Sequence, residues 1–113
     1  MTLRLIHTSD WQIGKVFRFV DNATMGLLQE ARLRAISRLG DLAEEKGTRH
    51  ILVAGDVYDM EALSPRSLNQ PLERMRNFPN VQWHLMPGNH DHYRANGLWD
   101  QLRRKGLPDN VHI

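Results

Sequence analysis

Gly88-Asn89-His90-Asp91 follows a short apolar run, Val81 to Met86, and the same arrangement occurs twice earlier in the chain. Ser9-Asp10-Trp11-Gln12 follows Leu3 to Thr8, and Gly55-Asp56-Val57-Tyr58-Asp59 follows His50 to Ala54. Three short apolar runs, each ending in a polar loop, read as buried strands. Between them lie helical patterns. Asp21 or Asn22 is a cap for a long helix whose apolar stripe is Leu28, Ala31, Ala35, Ile36, Leu39, Leu42 and Ala43, ending at Gly47. Ser64-Pro65 opens a second helix, with Leu68, Leu72, Met75 and Phe78 on one stripe and Pro79-Asn80 at its close. Pro71 is expected to kink or split it. Leu98 to Lys105 reads as a last helix, stopped by Gly106 and Pro108, and Val111-His112-Ile113 opens a fourth strand. The order βαβαβαβ predicts an α/β fold, a parallel sheet flanked by helices, with right-handed crossovers. In such sheets the loops at the strand carboxyl ends are where ligands bind.

Composition sets the bounds. With 113 residues the chain is one domain at most. It has no run near the roughly 18 apolar residues of a membrane span, and Arg4 interrupts the opening stretch too early for a secretory segment. A cytoplasmic protein without membrane attachment is expected. The absence of cysteine removes disulfides and thiolate zinc sites, so any metal must be held by carboxylate, amide or imidazole. The net charge of +2 hides an excess of arginine over lysine, twelve to three, and a pI near 9.4. Lys15 and Arg18, just beyond the first polar block, are candidates to meet a phosphate backbone. A solvated surface of mixed sign accounts for the charge equally well.

The three polar blocks hold complementary donors. Asp10 and Asp56 end different strands, so both carboxylates can approach one cation, and Asn89 adds a neutral oxygen. Taken singly, an aspartate after a strand is more often a cap or turn former. Three strand ends converging with matching donor types favour a metal centre. Such a set suits manganese, magnesium, iron or zinc, and two cations about 4 Å apart clamp the attacking and leaving oxygens of a phosphoryl displacement. His90 is placed to stabilise the transition state or protonate the departing alkoxide.

The blocks resemble the first three signature segments of the calcineurin-like metallophosphoesterase superfamily, which read roughly DxH, GDxxD and GNHD. His7-Thr8-Ser9-Asp10-Trp11 with Gly14-Lys15, and Gly55-Asp56-Val57-Tyr58-Asp59, are most similar to its branch of DNA repair exonucleases, the SbcD-type nuclease subunits. The resemblance runs from Leu3 to the last residue and identifies residues 1–113 with the amino-terminal half of a metallophosphoesterase sandwich. It implies two divalent cations, most often manganese, with Asp10 on one metal, Asp56 bridging both, Asn89 on the second and His90 catalytic. It also implies DNA as substrate and an ATPase partner subunit with long coiled coils. Gln12 stands where the family pattern has a metal-binding histidine, and its amide oxygen takes that place in the expected metal set. Asp59 and Asp91 are expected to brace their loops. The family's later segments, an isolated histidine and a GHxH motif, do not occur in this chain, and His112 lacks their setting. The chain is therefore expected to be incomplete as an enzyme and to self-associate through an uncovered apolar sheet face and strand edge near Val111 to Ile113.

The remaining residues have plainer expectations. His7 is read as a packed core imidazole, His50 and His84 as structural, and His92 as a substrate contact or a surface residue. Trp11 either stacks on a base beside the site or closes the core under its loop. DNA phosphodiester hydrolysis is the leading function. A phosphatase or cyclic nucleotide phosphodiesterase, or a non-catalytic interaction module, are the alternatives.

Overall fold

The computed structural model describes residues 2–59 and 63–113. Four parallel strands, β1 (Ile6–Thr8), β2 (His50–Ala54), β3 (Gln82–Met86) and β4 (Val111–His112), lie side by side in chain order. Helices α1 (Asn22–Glu45), α2 (Pro65–Arg76) and α3 (Leu98–Lys105) connect them. When strand order follows chain order, every right-handed crossover falls on the same side of the sheet. One core results, joining Ile51, Val53, Trp83, Leu85 and Val111 to Leu33, Ile36 and Ala43 of α1, Leu72 and Met75 of α2, and Leu98, Trp99 and Leu102 of α3.

The opposite sheet face differs from the expectation of an apolar surface. His7 and His112 are exposed there, and His50, Leu52, Gln82 and His84 are half-buried. The strands alternate between a buried and a partly open side rather than burying both, because no helix crosses that side. His7 is therefore a surface residue and not a core imidazole. The first strand is also shorter than its apolar run suggests. Its ladder pairs Ile6 with Ile51, and Leu3 and Leu5 ahead of it are exposed.

The helix starts form as their capping residues dictate. Asp21 accepts a hydrogen bond from the Thr24 amide at 2.7 Å, and Ser64 accepts one from Ser67 at 3.2 Å with Pro65 beginning the helix. Helix α1 keeps Ile36, Leu39 and Ala43 of the expected stripe against the core but is rolled partly away from the rest of it. Leu33, Ile36, Gly40 and Ala43 are buried, whereas Ala31, Ala35 and Leu42 are exposed. Gly40 lets α1 approach the end of α2 closely, where a leucine-centred stripe would hold it off. Helix α2 runs unbroken through Pro71, which is itself fully buried. The proline forfeits its donation to the Ser67 carbonyl, and core packing on both sides holds the helix together. Among the described residues no helix is long and apolar enough to cross a membrane.

A Cβ on Gly40 would sit 2.6 Å from three ring carbons of Phe78. Gly40→Val is expected to destabilise the fold by about 1–3 kcal/mol through overpacking, read from denaturant unfolding. A variant as stable as the parent would show that the two helices can part without loss.

Candidate metal centre

The register Ile51↔Trp83 and Ala54↔Met86 brings β2 and β3 to a common end, and Thr8↔Val53 brings β1 there too. The three polar blocks consequently leave one edge of the sheet. The first two remain zipped beyond the strands. Asp10 donates to the Gly55 carbonyl at 3.2 Å, Gln12 to Asp56 at 2.9 Å and Ile13 to Val57 at 2.9 Å, while Asp59 donates back to Ile13 at 3.0 Å. Residues Asp10, Gln12 and Asp56 all hold left-handed backbone, with φ of 58°, 47° and 54°. Non-glycine residues seldom adopt that conformation, and it persists only where surrounding bonds impose it.

Asp91 does much of the imposing. It is fully buried, and its carboxylate accepts three backbone amides, Gly88 at 2.7 Å and Asp56 at 3.2 Å on one oxygen and Tyr58 at 3.0 Å on the other. Its carbonyl accepts the indole N–H of Trp99 from α3. Thus one side chain ties the second block to the third. Gly88 lies so close to Asp56 that a Cβ there would collide with the Asp56 amide nitrogen and Oδ1. From the other direction α1 secures the first block. Arg32 donates to the Trp11 carbonyl at 2.8 Å, and Gln29 donates to that of Lys15 at 3.0 Å. Sequence reading missed both, since a polar side chain on a helix carries no mark of a partner fourteen or twenty-one residues away.

Asp56 is the best-defined candidate ligand. Only 8% exposed, it accepts the His90 amide at 2.9 Å on Oδ1, and its Oδ2 stands 3.2 Å from His90 Nδ1. The His90 amide is the main reason its carboxyl titrates below the usual carboxylate range, against the opposing effect of burial, with smaller help from the His90 ring and from a hydrogen bond with Asp10. Asp10 is exposed at the same edge, its Oδ2 accepting from Ser9 at 2.8 Å. Gln12 is half-buried, with Lys15 Nζ 3.4 Å from its amide oxygen. Asn89 and His90 are exposed on the third block.

The donor set, two carboxylates and two amide oxygens on loops locked together, fits a hard or borderline divalent cation. The residues that would hold it are Asp10, Gln12, Asp56 and Asn89. Among the described residues no three or more His, Asp or Glu side chains are assembled around one point. A groove of about 930 Å³ lined by Gly47, Arg49, His50, Asn80 and Gln82 lies at the other end of the strands, away from all four.

The candidate substrate contacts divide. Trp11 is in the core, 7% exposed, edge-on to Trp83 and donating to Thr8 Oγ1 at 3.1 Å, so it closes the core and cannot offer its ring to a base. Lys15 is half-buried beside Gln12 and over the Phe17 ring, while Arg18 and His92 are exposed.

Replacing Asp91 with asparagine keeps its shape but turns an acceptor into a donor facing a backbone amide. Asp91→Asn is expected to cost about 2–3 kcal/mol in chemical unfolding. An unchanged midpoint would remove Asp91 from its place as the tie between the loops.

Comparison with known proteins agrees with this geometry. A family model described as calcineurin-like phosphoesterase matches residues 3–112. The chain is 34% identical over 96 residues to the SbcD component of the nuclease SbcCD from Rhodobacter capsulatus, a match covering 79% of this chain and 22% of that protein. It is 26% identical over 117 residues to YhaO, an uncharacterized metallophosphoesterase from Bacillus subtilis, covering 98% of this chain and 27% of that protein. The chain thus spans about a quarter of the length of the curated relatives it matches. With the family model covering almost every residue and the three polar blocks gathered at one sheet edge, the chain belongs to the calcineurin-like phosphoesterase family.

Proposed function

We propose that this chain supplies the first part of a two-cation site that hydrolyses phosphodiesters in DNA, in the manner of an end-directed nuclease. The observation that carries the reading is the convergence of Asp10, Gln12, Asp56 and Asn89 on loops held by backbone hydrogen bonds and by Asp91. Divalent cations bound there, manganese being the first choice and magnesium, iron or zinc the others, would neutralise charge on the phosphoryl group and on the attacking and leaving oxygens. Asp56 contributes a carboxylate held below the usual carboxylate range chiefly by the His90 amide, which bonds Oδ1, while Oδ2 faces His90 Nδ1. Asp10, Gln12 and Asn89 contribute one oxygen-bearing side chain each.

His90 has a separate task. Its Nδ1 faces Asp56 at 3.2 Å, which orients the ring and puts Nε2 on the far side, where the side chain is 50% exposed. An imidazole held this way can give a proton to the departing oxygen. Lys15 and Arg18 follow the first block and His92 the third, and these side chains would meet the phosphate backbone. Likeness to a subunit of the nuclease SbcCD supports a nucleic-acid substrate and assembly with a second subunit; DNA and an ATPase partner are what the motif resemblance implies.

In the protein that carries this chain, Asp56→Asn is expected to lower manganese-dependent cleavage of duplex DNA ends by about 100-fold or more, with the circular dichroism of the fold retained. Near-parental turnover would dismiss Asp56 as the shared ligand. Cleavage of small phosphate esters with no action on DNA ends would move the substrate to the phosphatase side of the family.

Gln12→His tests the unusual member of the first block. An imidazole is a stronger donor than an amide oxygen to manganese or zinc, so calorimetry is expected to show binding tightened by about tenfold. Equal affinities would place side chain 12 outside the metal's reach.

A further inference from the structure

Lys15 is a cation set beside a candidate cation ligand. Gly14, with φ of 91°, turns the chain after the first block, and the Lys15 amide donates back to the Gln12 carbonyl at 3.2 Å. Gln29 of α1 donates to the Lys15 carbonyl at 3.0 Å. Both backbone groups of Lys15 are thus committed, and its side chain returns over the turn to Gln12, with Nζ 3.4 Å from the amide oxygen. The other neighbour of the ammonium is the Phe17 ring, 5.9 Å from Nζ to centroid, which the Arg32 guanidinium also faces at 5.1 Å. Among the described residues no carboxylate forms an ion pair with Lys15; the ion pairs are those of Arg74 with Glu30, Arg76 with Glu73 and His90 with Asp56. A half-buried ammonium therefore rests on two neutral partners, an amide oxygen and a ring.

We propose that the Lys15 ammonium and a divalent cation compete for Gln12 Oε1, so that Lys15 holds down cation affinity on the Asp10 and Gln12 side of the site. The inference rests on the metal reading of Asp10, Gln12, Asp56 and Asn89 given above. An ammonium has three donors and no lone pair, so it can occupy a ligand oxygen and cannot itself ligate. A hard divalent cation seeks the same oxygen. Two positive charges gathered at one oxygen repel each other, and the repulsion is screened less in a partly buried loop than in bulk water. Gln12 therefore serves one of them at a time. Leaving costs the ammonium only two contacts with neutral groups, and its flexible four-carbon stem lets it swing away while the backbone stays pinned.

The test is manganese binding, by calorimetry, in the protein that carries this chain, for the parent, Lys15→Met, Gln12→Ala and the double variant. Methionine keeps an apolar stem beside Phe17 without the charge. Lys15→Met is expected to bind manganese about tenfold more tightly than the parent. Between Gln12→Ala and the double variant the same change is expected to gain about twofold or less, because the contested oxygen is gone. Loosening of the loop would weaken binding, so a tighter complex is a signature that a packing role for Lys15 does not produce. Manganese bound equally or more weakly by Lys15→Met, or a gain that persists beyond about twofold without Gln12, would overturn the competition. Absence of manganese binding in the parent and every variant would overturn it together with the metal reading itself, a result distinct from either of these.

Discussion

The buried carboxylate of Asp91 is the interaction on which the arrangement of the site depends. Charge-assisted hydrogen bonds from three backbone amides replace the water the carboxylate loses on burial. Without them a buried anion is costly, and without the anion three amides are left unsatisfied. Each half of the arrangement needs the other. The result is that two loops from different strands acquire one rigid geometry, reinforced from the helix side by Trp99.

Rigidity explains why strained residues survive where they do. Asp10, Gln12 and Asp56 sit in left-handed backbone, and each of the three amides is committed, two to the partner loop and one to Asp91. The strain is offset by the backbone bonds that the two loops exchange and by those that Asp91 accepts. Asp56 shows the balance most clearly. Its own amide is held by Asp91, its carboxylate accepts from the next block, and its charge is maintained in spite of burial.

Most of the architecture was legible in the residues. Strand-then-polar-loop repeats, the caps at Asp21 and Ser64-Pro65 and the Gly106 and Pro108 stops foretold the strands and helices, and the carboxyl-end rule foretold that the three polar blocks leave one edge of the sheet. What escaped was pairwise. The inward face of α1 is centred on Gly40, a position that no hydrophobic stripe would select, because the choice depends on where Phe78 lies. Continuity of α2 through Pro71 depends likewise on tertiary packing that outweighs the local propensity. The burial of Trp11 and the exposure of His7 follow from which sheet face the helices cover, a consequence of strand order that is invisible in any single strand. Asn110 is another long-range case, its amide donating to the carbonyls of Met75, Phe78 and Val81 and so stitching the end of α2 to the start of β4.

Strand order also has a kinetic consequence. Because each strand neighbours the one made just before it, the sheet can be assembled in the direction of synthesis, one βα unit at a time, with modest loop closure at every step. The loops at the strand ends do not share that schedule. Asp56 waits thirty-five residues for the carboxylate that fixes its amide. Until Asp91 has emerged and docked, a nascent chain therefore has a growing sheet but not yet the loop geometry that the buried carboxylate sets.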